Sequence, residues 1–156
     1  MTLTSKVAQA ARKRTERPMP RVLVVKDVWH LTPNMIRVVF AGPELDGFPS
    51  GRDGGNCKLM IPENGETKEH FVERLSSGPT PVRRTYTVRK FDAFTHELSI
   101  DFVAHGDEGP ASRWASSVRA GGFLGFAGPS EPKIIDFDAD WYLVAADPSA
   151  IPVAAV

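Results

Sequence analysis

Turns dominate this chain. Glycine and proline, 13 of each among 156 residues, cut it into short runs rich in β-branched and aromatic residues, a texture that excludes long helical bundles and points to many short strands. RVLVVKDVWHL (21–31) and NMIRVVFAG (34–42) read as an antiparallel pair across the turn Leu31-Thr32-Pro33-Asn34. Residues 42–55 form a loop stretch, and NCKLMIP (56–62) is a third strand closed by Pro62. The polar stretch 63–80 holds one helical turn at EHFVERL.

VRRTYTVRKFD (82–92) alternates, with Val82, Arg84, Tyr86 and Val88 on one side, and it pairs as a hairpin with ELSIDFVAHG (97–106). GPASRWASSV (109–118) begins with Gly-Pro and continues as a helix that Gly121-Gly122 ends. FLGFAGP (123–129) and KIIDFD (133–138) complete the β segments. The expected fold is all-β dominated: a six-stranded antiparallel Greek-key barrel with one inserted helix, since closure removes exposed sheet edges.

The two ends differ in kind from this middle. Residues 2–16 read as a short helix capped at Thr4 or Ser5, with Arg12-Lys13-Arg14, Arg17 and Arg21 as either a solvated basic face or an attractor of anions. At the other end, Trp141–Ala146 is strongly apolar and leads into an Asp/Ser loop and an Ala-rich stretch, which is how a parallel β-α unit starts. One such unit cannot bury its own face. The expected division is therefore an N-terminal arm at 1–19, a barrel domain at 20–137, and at 138–156 the first β-strand of a truncated α/β nucleotide-binding domain, supplied elsewhere or lost. An unpaired final strand also invites pairing with a second copy in a homodimer.

Composition narrows the function classes. Lys+Arg 19 against Asp+Glu 19 leaves no formal net charge, which argues against nucleic acid as the partner, including a single strand held by Arg83, Arg84 and Arg89. No apolar run approaches the length of a membrane span, and without a signal-like N-terminus the expected localisation is cytoplasmic. The single Cys57 excludes an internal disulfide and reads as a packed strand residue rather than a reactive thiol. His30, His70 and His96 stand in no metal-ligand spacing.

Chemistry concentrates in two places. The helix start Gly109-Pro110-Ala111-Ser112 presents main-chain N–H groups and a partial positive charge suited to a pyrophosphate, with Gly109 allowing close approach and Ser112 adding a hydroxyl. Arg84 on a neighbouring strand supplies a bidentate clamp. Tyr86 can lie against a ring system, and Thr87 offers its N–H or hydroxyl to a ring heteroatom. Together these describe a site for a flat heteroaromatic ring carrying a diphosphate.

From about residue 20 onward the chain resembles the siderophore-interacting protein family, the flavin-dependent ferric-siderophore reductases of the ferredoxin-reductase-like superfamily. The resemblance rests on Arg84-Thr85-Tyr86-Thr87-Val88-Arg89, Asp101-Phe102-Val103-Ala104-His105-Gly106, Gly109-Pro110-Ala111-Ser112-Arg113-Trp114, Ala127-Gly128-Pro129, and Trp141–Asp147 followed by Ser149-Ala150-Ile151-Pro152. It implies an FAD-binding barrel in which Arg84 holds a phosphate, Tyr86 packs on the isoalloxazine or ribityl, and Thr87 sits at the reactive edge. Asp101 belongs to the same implied set. His105 and Gly109 to Ser112 would line the ribityl and pyrophosphate, and Trp114 would reach the adenine or anchor the core. Asp147, Ser149, Ala150 and Pro152 would begin the nicotinamide-nucleotide loop. The implied reaction passes electrons from NAD(P)H through FAD to a ferric siderophore. The alternative is a flavin-binding module without reductase activity of its own. No acid–base pair or nucleophile is called for, because the flavin carries the electrons.

Overall fold

The computed structural model describes residues 19–104, 109–133 and 138–156. The helix expected at 2–16, His105, and all but the ends of the β segment at 133–138 lie outside them. Seven strands form one sheet: β1 (Arg21–Thr32), β2 (Met35–Ala41), β3 (Asn56–Ile61), β4 (Val82–Thr87), β5 (Lys90–Asp92), β6 (Glu97–Val103) and β7 (Phe123–Ala127). Their order is β4-β3-β7-β1-β2-β6-β5, with every pairing antiparallel.

The seventh strand comes from a run that breaks. The expected continuous strand 82–92 is two, β4 and β5. Val88 N–H donates to the Gly55 carbonyl at 2.9 Å, and the next residue, Arg89, donates to Ser99 of β6 at 3.0 Å. Within one peptide the chain leaves β3 and joins β6. The expected hairpin is thereby corrected: only Lys90–Asp92 pairs with Glu97–Ser99, while Val82–Thr87 pairs with β3. Because the two ends of the sheet order are consecutive pieces of one chain, the sheet curls round a single core. Phe40, Leu59, Ile100, Phe102, Leu124 and Phe126 fill it, each almost wholly buried.

Three helices accompany the sheet: α1 (Lys68–Ser77), α2 (Pro110–Ser117) and α3 (Ile151–Ala154). The single turn expected near residue 70 is a ten-residue helix. Thr67 caps it by accepting from the His70 N–H at 3.2 Å, and the fully buried Phe71 docks on Val22 and Met60. Gly55 marks a close crossing, where a β-carbon would stand 2.3 Å from the Ser130 carbonyl oxygen.

Residues 141–147 form no strand, contrary to expectation. Trp141 is 76% and Leu143 84% exposed. A strand of the buried parallel type is held by neighbours on its edges and helices on its faces, and no other described strand pairs with this run. The chain instead reaches α3, whose Pro152 is buried. No described helix is long and apolar enough to cross a membrane.

Candidate functional site

β4 organises the site. Val88 exchanges main-chain hydrogen bonds with Gly54 and Gly55 on the β3 side. The period-two alternation of an antiparallel ladder therefore turns the main-chain groups of Tyr86 and Arg84 toward β3, and those of Thr85 and Thr87 toward the side where the sheet order ends. There a cavity of about 310 Å³ is lined by Asn56, Arg84, Thr85, Tyr86, Thr87, Asp101, Val103, Ser149 and Pro152. A second cavity of about 310 Å³ lies at the other end of the same strand, where Val82 meets Ile61, Pro110, Arg113, Trp114 and Ser117.

Arg84 stands between them. Its guanidinium is exposed and donates to the neighbouring Arg83 carbonyl at 2.9 Å, and no carboxylate pairs with it among the described residues. Tyr86 rests on Phe102, ring centroids 4.6 Å apart. Burial pushes its phenol up to about 12, so the hydroxyl stays neutral. Trp114 packs on the other side of the same aromatic group, 5.5 Å from Phe102 and stacked on Phe40 at 6.4 Å. Trp114 is thus a core anchor that also forms cavity wall.

Helix α2 has no side-chain cap, and its first-turn N–H groups have no intrahelical acceptor, as at any helix start. A β-carbon on Gly109 would meet nothing within 4 Å, so the approach there is open. Ala111 and Ser112 are buried against the core, which leaves the main chain rather than their side chains to face a ligand. Asp101 is 6% exposed and held by Arg37, Nε to Oδ1 at 2.7 Å and Nη2 to Oδ2 at 2.8 Å. The carboxylate in turn raises the Arg37 guanidinium above its ordinary value. Asp147 does not line the cavity. Its carboxylate accepts from the Ser149 N–H and hydroxyl at 2.8 and 2.6 Å and from the Ala150 N–H at 3.1 Å, and these bonds hold it below the usual carboxylate range. That turn places Ser149 and Pro152 against β4.

Six of the expected site residues therefore share one cavity: Arg84, Tyr86, Thr87, Asp101, Ser149 and Pro152. Pro110 and Trp114 line the second. Asn56, Thr85, Val103 and Arg37 escaped the reading of the sequence. Arg37 and Asp101 are cross-strand partners, a signal visible only once the β2–β6 register is known. No group of His, Cys, Asp and Glu suited to a metal occurs among the described residues.

Two cavities at the ends of one strand, an unpaired arginine between them and an open helix start nearby fit a molecule with two ring systems joined by a diphosphate. The match to known families agrees. Residues 24–133 match the model of the siderophore-interacting FAD-binding domain. The chain belongs to the siderophore-interacting FAD-binding family. Over 142 residues it is 35% identical to the ferric vibriobactin reductase ViuB of Vibrio cholerae, covering 88% of this chain and 52% of that protein. Among solved structures, a siderophore utilization protein from T. fusca superposes with a TM-score of 0.70 at 35% identity, over 86% of this chain and 53% of that one. The siderophore-interacting protein SipS from Aeromonas hydrophila gives 0.59 at 35% identity, over 72% and 43%. The chain thus spans about half the length of the relatives it matches. Family membership makes FAD the ring-and-diphosphate ligand that the two cavities and Arg84 fit.

Proposed function

We propose that this FAD-binding chain serves a reductase of ferric siderophores that draws its electrons from NAD(P)H. The observation that carries the reading is the cavity at the Thr87 end of β4, which gathers Arg84, Tyr86 and Thr87 from one strand and Ser149 and Pro152 from the C-terminal segment. Bound FAD supplies the chemistry, because a flavin accepts two electrons from a nicotinamide and releases them one at a time, as two ferric ions require.

The residues bind and orient. Tyr86 gives a flat, neutral surface backed by Phe102, and Thr87 presents main-chain and hydroxyl groups at the sheet end. Arg84 clamps a phosphate, with the α2 start beside the same ligand. Trp114, Pro110 and Arg113 form the adenylate end. Ser149 and Pro152 close the opposite wall, where a nicotinamide approaches the ring. The ferric siderophore is the electron acceptor.

The test has two stages. Titration of the purified chain with FAD should quench flavin fluorescence to a saturating endpoint. The complex, reduced anaerobically by dithionite and freed of excess reductant, should regain its oxidised flavin spectrum on addition of ferric siderophore, with Fe(II) trapped by a chromogenic chelator. A flavin that stays reduced in the presence of ferric siderophores would refute the reductase reading and leave the binding module standing.

A further inference from the structure

Asp101 is an unusual wall for a flavin cavity: a carboxylate almost wholly removed from water, yet lining the space beside Tyr86 and Thr87. Burying a charge is costly unless it is paired and hydrogen-bonded. Arg37, directly opposite on β2, provides that pairing as a bidentate fork, one nitrogen to each oxygen. Arg89 Nε adds a weaker contact at 3.9 Å from Oδ2.

The fork does two things. It fixes the carboxylate plane, since both oxygens are held by one rigid guanidinium. It also leaves acceptor capacity unused, because a carboxylate offers about four lone-pair sites and the fork occupies two. A fixed acceptor opening on a cavity recognises a donor. We propose that Asp101 accepts a hydrogen bond from the bound flavin, either a ribityl hydroxyl or the ring N3–H, and that Arg37 is the residue that positions it. The inference rests on the flavin reading above and assigns a role to Arg37, which touches no ligand itself.

Binding of riboflavin, lumiflavin (without the ribityl chain) and N3-methyllumiflavin (without either donor) tests it by fluorescence titration. Asp101→Asn is nearly isosteric, and it should weaken riboflavin by about tenfold or more, the range of a charge-assisted hydrogen bond. If the donor is a ribityl hydroxyl, lumiflavin binding stays at the wild-type level. If it is N3–H, lumiflavin loses as much as riboflavin. N3-Methyllumiflavin should be indifferent in both cases. Arg37→Lys keeps the charge but lacks the fork, and it should reproduce the same ligand-selective pattern. Loss of N3-methyllumiflavin binding in step with riboflavin would mark a merely structural pair and overturn the proposal. So would variants that bind all three ligands as wild type does. Failure of the wild-type chain to bind FAD or riboflavin would instead remove the flavin reading itself, and this inference with it.

Discussion

Tyr86 and Trp114 lie on opposite sides of one buried ring, Phe102, at centroid distances of 4.6 and 5.5 Å. The walls of the two cavities along β4 are thus coupled through the barrel core, and a change at either aromatic alters both packing and ligand surface. Tyr86→Ala should cost about 3 kcal/mol of stability, as for other large-to-small core substitutions, and should abolish FAD binding. Tyr86→Phe, which keeps the ring, should retain most of the affinity. Urea unfolding beside FAD titration separates the two effects.

The same residue predicts behaviour in alkali. Its phenol is raised from 10.0 to about 12 by burial, so the folded state holds the proton more tightly than the unfolded chain. That contribution is fully present below pH 10 and is lost as pH rises through about 12. Spectrophotometric titration of the phenolate in the native chain should show Tyr86 ionising late, and Tyr86→Phe should lessen the alkaline loss of stability.

Arg84 makes no carboxylate pair that a ligand phosphate would have to break. Arg84→Ala should therefore weaken FAD by roughly 1.5–3 kcal/mol, the range for a hydrogen bond to a charged group. Riboflavin, which has no phosphate, should bind almost unchanged. Equal losses for the two ligands would show that Arg84 does not read phosphate.

Helix α1 carries a separate weak point under acid. Arg74 forks onto Glu66, Nε to Oε1 at 2.7 Å and Nη2 to Oε2 at 2.6 Å, with both side chains under a tenth exposed. The Arg74 bond holds the Glu66 carboxyl below its ordinary 4.5. A depressed folded-state value stabilises the fold above pH 4.5, and that stability drains away as pH falls through the native value. Arg74→Ala should cost about 3 kcal/mol near neutrality, because it strands a buried carboxylate. The variant's denaturation midpoint should also fall less steeply on acidification than that of the wild type.

Cys57 faces the core from β3 at 2% exposure, and burial pushes its thiol up to about 12. Maleimide should leave it unmodified in the native chain and label it fully in denaturant. Rapid native labelling would mean that the β3–β4 pairing opens readily.

The position of the chemistry was legible before the fold. Arg84, Tyr86 and Thr87 alternate on a strand, and Gly109-Pro110 starts a helix, because strand period and helix-start preference are local properties of the backbone. Strand boundaries were equally readable for β1, β2, β3 and β7. The run 82–92 was not, since its alternation continues unbroken across the point where hydrogen bonding passes from β3 to β6. No feature inside the run marks that transfer, which follows from how far the sheet must curl to enclose its core.

What the sequence determined by itself is therefore the set of elements and the residue types placed on them: short β runs between turns, a Gly-Pro helix start, and an arginine and aromatic on one strand. The tertiary structure alone decided the partners. It set Arg37 opposite Asp101, brought Ser149 and Pro152 to β4, and left the apolar run at 141–147 without a neighbouring strand. The physical reason is that propensity acts within a few residues, whereas register, closure and burial are settled by contacts between segments far apart in the chain.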